Sequence, residues 1–184
     1  MRVIAGTARS LPLKSPKGDN TRPTIDKHKE TLFNCLNNYL YDCIFVDLFS
    51  GSGAIAIEAL SRGAKKAYLV ERNKEALKCI KENLNFTHLD SKASVVSGDV
   101  MAFLRGQAKE KADIIFLDPP FKEASFKDII EEIVKSDVCC QSTKIIVEST
   151  LEENFDYIDG LDFEIYKVKE YKTCKHTFMQ FRSS

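Results

Sequence analysis

Four short apolar runs, each closed by an acidic residue, limit what this chain can become. Residues 43–49 hold Asp47, residues 65–70 run into Glu71, residues 93–96 lead through Ser97-Gly98 to Asp99, and residues 113–117 end at Asp118. Apolar runs this short, rich in Val, Ile and Phe, suit strands covered on both faces. Segments with helical spacing separate them: residues 54–60, then 74–84 with Ala76, Leu77, Ile80 and Leu84 on one side. Ser125 is placed to cap another helix bearing Phe126, Ile129, Ile130 and Ile133, ahead of a fifth strand at 144–147. Strands alternating with helices predict an α/β fold with a mostly parallel, doubly wound sheet. All of its parallel strands end at one edge, so the four acids are expected to share that edge.

The two ends of the chain depart from the alternation. Residues 162–168 and 177–182 are β-rich and read as a terminal hairpin, an antiparallel edge on a parallel sheet. Residues 2–5 are a short candidate strand, and residues 7–22 mix Gly, Pro, Ser and basic residues without helical period, which predicts an exposed loop or hairpin. Thr24, after Pro23, is placed to cap a helix with Ile25, Leu32, Phe33, Leu36 and Leu40 in one stripe, while Lys27, His28 and Lys29 read as solvent-facing. The expected organisation is therefore a basic N-terminal extension, 1–23, on a body formed by 24–184. A chain of 184 residues suits one domain with a small appendage.

Twenty-seven Lys and Arg balance 27 Asp and Glu, so the whole-chain charge gives no pull towards nucleic acid. The balance hides a basic start: Arg2, Arg9, Lys14, Lys17, Arg22, Lys27 and Lys29 face only Asp19 and Asp26. The six cysteines show neither CxxC nor Cys/His zinc spacing, which predicts a reduced, cytoplasmic chain without a structural metal. No apolar run approaches the length of a membrane span.

The richest stretch runs from the first strand through a glycine turn, Asp47-Leu48-Phe49-Ser50-Gly51-Ser52-Gly53, into a helix. Glycines let backbone approach a ligand closely, and the helix start behind them offers free N–H groups. Glu71 lies about twenty residues beyond Gly51, where the next strand end of a βαβ unit places a ribose-binding acid. Arg72 comes directly after it, and Asp99 with Val100 stands where an adenine would lie. Gly51-Ser52-Gly53-Ala54-Ile55-Ala56 also fits the G-x-G-x-x-A dinucleotide pattern, so an NAD-dependent enzyme and a user of an adenosyl-bearing methyl donor both stay open.

Asp118-Pro119-Pro120-Phe121 bears on the reaction. Two prolines end the strand and hold a stiff loop with one carboxylate and one ring. An amine conjugated to a base is a poor nucleophile; Asp118 and a proline carbonyl can hold its hydrogens while Phe121 stacks on the base. Alignment of amine and methyl group then supplies much of the rate.

The glycine turn 47–53, Glu58-Ala-Leu-Ser-Arg-Gly-Ala64, the Asp118-Pro-Pro-Phe121 loop, and Thr21-Arg-Pro-Thr24 with Glu30-Thr-Leu-Phe-Asn34 together resemble the RsmD-type bacterial methyltransferases. The resemblance covers nearly the whole chain. It implies a Rossmann-like class I methyltransferase with a mostly parallel seven-stranded sheet, an antiparallel C-terminal edge and an RNA-contacting N-terminal extension. It implies methyl transfer from S-adenosylmethionine to the N2 amine of a guanine in 16S ribosomal RNA, alone or within a 30S subunit or assembly intermediate, by a monomer. On that pattern Asp47, Phe49, Gly51, Ser52, Gly53, Glu71, Arg72, Asp99 and Val100 surround the cofactor, and Asp118, Pro119, Pro120 and Phe121 hold the guanine. The seven basic residues of 1–29 would then meet phosphates. Another amine, of adenine or of a protein glutamine, and an inactive RNA-binding assembly factor are the alternatives. The chain departs from the family pattern at 7–12, at Asp26-Lys-His-Lys29 and at Tyr171-Lys172-Thr173, where a glycine usually comes after the tyrosine.

Overall fold

A computed structural model of the chain describes residues 1–16, 26–107, 110–120 and 125–182. In chain order the main elements are α1 (Asp26–Leu40), β1 (Ile44–Asp47), α2 (Ala54–Ser61), β2 (Lys66–Glu71), α3 (Lys74–Thr87), β3 (Ala93–Ser97), α4 (Val100–Ala102), β4 (Ile114–Leu117), α5 (Phe126–Lys135), β5 (Lys144–Ser149), β6 (Phe163–Glu170) and β7 (Lys175–Phe181). The seven strands form one sheet in the order β3-β2-β1-β4-β5-β7-β6. The first five are parallel, and β5–β7 and β7–β6 are antiparallel. The α/β sheet with an antiparallel C-terminal edge is thus as expected, and every strand lies within two residues of its expected bounds.

Strand pleating sorts the core into two layers. Phe45, Phe116, Ile146 and Phe178 meet α1, α2 and α3, while Val46, Ile115, Leu117, Ile145 and Val147 meet α5 and the turn through Phe103. β4 is buried at all four positions, which explains why it reads as a continuous apolar run. α5 buries Phe126, Ile129, Ile130 and Ile133 on one stripe, and Ser125 Oγ accepts the Asp128 N–H at 3.3 Å as its cap. Each of those side chains contributes roughly 1.5–3 kcal/mol relative to exposure, so a charge in place of Ile130 would detach the helix. Both sheet edges are blunted: β3 is short and half-buried, and β6 carries Lys167 and Lys169 beside a bulge. No helix among the described residues is long and apolar enough to cross a membrane.

The N-terminal segment corrects three expectations. Residues 2–5 form no strand; only an isolated bridge joins Arg2 to Pro12. The amides of Ile4 and Ala5 instead donate to the Glu58 carboxylate of α2, at 2.8 and 3.0 Å. Nor is the segment a free loop, since Val3, Ala8 and Leu13 are buried in the same core as α1 and α2. Lys29, expected to face solvent, is fully buried between the Arg2 carbonyl (2.5 Å) and Glu58 (3.2 Å). His28 is half-buried and stacks on Tyr171 with ring centroids 3.8 Å apart, so two departures from the family pattern pack on each other. The short helical turns at Asp90–Lys92, Val100–Ala102 and Asp156–Leu161 were not read from the sequence, because three to six residues are too few to display a period. Thr24, Ile25 and the Arg-Pro-Thr motif lie outside the described residues.

Candidate active site

Strand order reverses between β1 and β4, since β2 and β3 lie to one side of that pair and β5 to the other. In an open α/β sheet the crevice beyond the strand ends at such a point is where a ligand fits. The loop after β1 and the Asp118-Pro119 end of β4 form its two walls. The sheet therefore brings together two motifs more than sixty residues apart.

The glycine turn is shaped for two separate reasons. Gly53 (φ +80°) caps α2, and a Cβ there would come 3.1 Å from Leu69 and 3.3 Å from Ile80, so this glycine is needed for packing. Gly51 (φ +52°) would meet nothing within 4 Å, so its bare side faces open space. Its N–H donates to Glu71 Oε2 at 2.9 Å. Ser52 gives its carbonyl to the Asn83 side chain (2.9 Å), and Asn83 also exchanges bonds with the Lys14 backbone. Buried Asn83 thus ties the turn, α3 and the N-terminal segment together. Sequence reasoning passed over it, because one Asn inside an amphipathic helix looks like any polar position.

Glu71 is held by backbone. Its Oε1 accepts the amides of Arg72 and Asn73, each at 2.8 Å, and with Gly51 that occupies three of about four acceptor directions. One direction, on Oε2, is left for a hydroxyl. Arg72 is exposed beside it. Asp99, an exposed residue, caps α4 through Oδ1, which accepts the Met101 N–H at 2.8 Å, while its Oδ2 accepts no hydrogen bond from the described residues. Val100 is buried beneath it and Phe49 is half-buried beside the glycine turn.

Asp47 is enclosed, with Oδ1 lacking any hydrogen-bond partner. Burial pushes its carboxyl up to about 7, and the nearby Glu71 charge adds to this. Asp118 is partly exposed and has no hydrogen bond among the described residues. Its carboxyl is held well above the usual range, first by desolvation, then by the charges of Glu148 and Asp47. Pro119 is buried and Pro120 exposed; Phe121, expected to stack on a base, lies outside the described residues. A carboxylate of raised proton affinity, with no hydrogen-bond partner among the described residues and beside an open glycine turn, can in its ionised form accept hydrogens from an amine and draw off a proton as the nitrogen forms a new bond.

The expected phosphate-binding residues divide. Arg2, Arg9, Lys14 and Lys27 are exposed, Arg2 beside Asp26 (3.3 Å) and Lys14 beside Glu82 (2.8 Å). Lys29 is sealed inside the protein, where no phosphate meets it. Lys17 and Arg22 lie outside the described residues.

A family described as conserved hypothetical protein 95 matches residues 1–180. Among curated relatives, ribosomal RNA small subunit methyltransferase D of Escherichia coli (strain K12) is 36% identical over 152 residues, covering 83% of this chain and 76% of that one. The protein of the same name from Haemophilus influenzae is 40% identical over 123 residues, covering 66% and 64%. The solved structure of yhhF from Escherichia coli superposes with a TM-score of 0.85 at 30% identity, covering 100% of this chain and 99% of that one.

Proposed function

Since the chain belongs to the family described as conserved hypothetical protein 95, the RsmD family, we propose that it transfers a methyl group from S-adenosylmethionine to the exocyclic N2 amine of a guanine in 16S ribosomal RNA. The observation that carries the reading is the meeting, at the switch point, of Gly51's open face with the Asp118 carboxylate, which has no hydrogen-bond partner among the described residues. The residues present suit the methyl donor: a bare glycine for close approach, an acceptor direction on Glu71 for a ribose hydroxyl, and Asp99 Oδ2 for an adenine amine. When bound, that donor supplies an electrophilic methyl group on a positively charged sulfur.

The chain's own residues do the rest. Asp118 and the Pro119 carbonyl hold the amine hydrogens and turn the nitrogen's lone pair out of conjugation, and Phe121 stacks on the base. Raised proton affinity makes the ionised Asp118 carboxylate a stronger base than an ordinary one, and in that form it takes the proton the nitrogen sheds. A guanine N2 is engaged in pairing within a helix, so the target nucleotide is unpaired or flipped. The extension 1–23, with Arg2, Arg9, Lys14, Lys17 and Arg22, together with Lys27 at the start of α1, steers the RNA backbone. The exposed pairs Arg2–Asp26 and Lys14–Glu82 are screened by solvent, so exchanging Asp26 or Glu82 for phosphate costs little. On this reading the protein works in the cytoplasm as a monomer.

Tritium transfer from S-adenosylmethionine tests this, with naked RNA, 30S particles and assembly intermediates from a strain lacking the protein. Labelled N2-methylguanosine is the expected product, lost in Asp118→Ala. Label in adenine or in a glutamine of protein would choose another amine, and no label in any substrate would refute the reading. Calorimetry should show S-adenosylhomocysteine binding and no saturable NAD binding.

A further inference from the structure

A D-P-P-F loop grips an amine, yet adenine and guanine both carry one. The two bases differ at the neighbouring ring nitrogen: N1 of guanine bears a hydrogen and donates, while N1 of adenine bears a lone pair and accepts. A flipped base is read along this edge. For a methyltransferase of this kind, discrimination therefore needs a second acceptor close to Asp118.

The sheet places one there. Leu117 of β4 aligns with Val147 of β5, so one step further Asp118 stands beside Glu148. Paired strands run about 4.8 Å apart. Alternation puts Asp118 on the face of Phe116 and Glu148 on the face of Ile146, and both of those belong to the core beneath α1 and α2. The two carboxylates are thus side by side at the end of the sheet, and the Glu148 charge is one of the influences that raise the proton affinity of Asp118.

Glu148 is held in place. Its Oε2 lies 2.8 Å from Nε2 of His176, the residue directly across in the β5–β7 ladder. His176 is fully buried, and its Nδ1 sits 3.1 Å from the Tyr171 hydroxyl. Burial pushes Tyr171 up to about 12, so it keeps its proton and donates to Nδ1, which leaves Nε2–H to donate to Glu148. Tyr171 is clamped in turn by its stack on His28 of α1. Oε1 of Glu148 has no partner among the described residues.

We propose that Glu148, positioned by His176 and Tyr171, accepts the N1–H of the target guanine while Asp118 receives its N2 amine, which makes the site select guanine. This rests on the methyltransferase reading. A base with a lone pair at N1 would face the Glu148 carboxylate with like charge and no hydrogen between them. Glu148 touches the substrate in this arrangement; His176 and Tyr171 act only through it.

The test uses the full chain and RNA in which the modified guanine, once located by digestion, is replaced through ligation by 2,6-diaminopurine. That base keeps the 2-amino group and has a lone pair at N1. The wild-type protein should prefer guanine in kcat/KM by at least about 100-fold, as a site built around a substrate N–H rejects an analogue lacking it. Glu148→Gln presents an N–H in place of an oxygen, so guanine turnover should fall and the preference should shrink to within about tenfold. Glu148→Asp withdraws the acceptor by one methylene, so guanine turnover should fall while diaminopurine turnover, relieved of the facing carboxylate, should rise. His176→Gln keeps a donor and should retain the preference that His176→Leu loses. Melting and S-adenosylhomocysteine binding equal to wild type establish that a variant is folded. Equal losses on both bases in the Glu148 variants, with guanine still methylated by the wild type, overturn this inference alone. A wild-type protein that methylates no guanine overturns the underlying reading with it.

Discussion

Glu58→Gln tests how the N-terminal extension is fastened to the body. Glu58 is fully buried in α2 and receives four donors: the amides of Ile4 and Ala5 at 2.8 and 3.0 Å, Lys29 Nζ at 3.2 Å and Arg62 Nε at 2.7 Å. The substitution keeps the shape and removes the charge, leaving Lys29 enclosed with the Arg2 carbonyl at 2.5 Å. Removing one partner of a buried ion pair costs about 3–5 kcal/mol. Against a domain stability of roughly 5–15 kcal/mol, the variant stays folded but is much weakened. Lys29 can relieve part of the cost by losing its proton, since burial already lowers its pKa and Glu58 is the main influence raising it. A lysine whose folded pKa is depressed binds fewer protons folded than unfolded, so the variant's stability rises with pH towards the unfolded lysine value of about 10.4. Urea denaturation at pH 7 and pH 9, in parallel with wild type, reads both quantities, and amide exchange at Ile4 and Ala5 should accelerate. Lys29→Met, which leaves Glu58 on Arg62 and two amides, should cost less, and adding it to Glu58→Gln should recover much of the loss. A deficit below about 1 kcal/mol at pH 7, or the same deficit at pH 9, would refute the assignment of a buried, charge-dependent clasp.

Gly51→Ala should fold with a penalty of about 1–2 kcal/mol for its left-handed backbone, because nothing surrounds the added methyl, yet calorimetry should show S-adenosylhomocysteine binding sharply reduced. Gly6→Ala should behave in the opposite way: its Cβ would overlap the Ser61 carbonyl, so thermal melting should drop and the extension should become protease-sensitive, while cofactor binding persists. Asp47→Asn removes a buried titration. The rise from 3.8 to about 7 means that folding favours the protonated acid, so wild-type stability declines as pH rises from about 4 to 7 and stays lowered above it. At about 1.36 kcal/mol per pH unit the full decline is ~4 kcal/mol, of which about 3 kcal/mol falls between pH 4.5 and 8; denaturation curves at those two pH values should show wild type losing about that much more than Asp47→Asn, beyond the decline that the raised Asp118 carboxyl gives to both.

Much of the architecture was legible because it depends on local patterns. Apolar runs covered on both faces give parallel strands, 3.6-residue stripes give the helices, and the glycine turn and Asp118-Pro119-Pro120 carry their backbone constraints in the residue types themselves. The same locality left α4 and the short helical turns unread. It also misplaced Lys29 and His28, whose helical positions were judged from the stripe of α1 alone, while Glu58 and Tyr171, far along the chain, decide their surroundings.

The sequence by itself determined the strand–turn–helix order, the acids at the strand ends and the proline-stiffened end of β4 at Asp118-Pro119-Pro120. Only the tertiary structure decided which of these meet. Strand order β2-β1-β4-β5 sets Gly51 opposite Asp118, and β5–β7 pairing sets Glu148 beside His176, 28 residues away. The physical reason is that register across a sheet is fixed by pairing and burial over the whole core. A Glu ahead of a Ser and a His in a polar hairpin carry no mark of each other until β5 and β7 lie side by side.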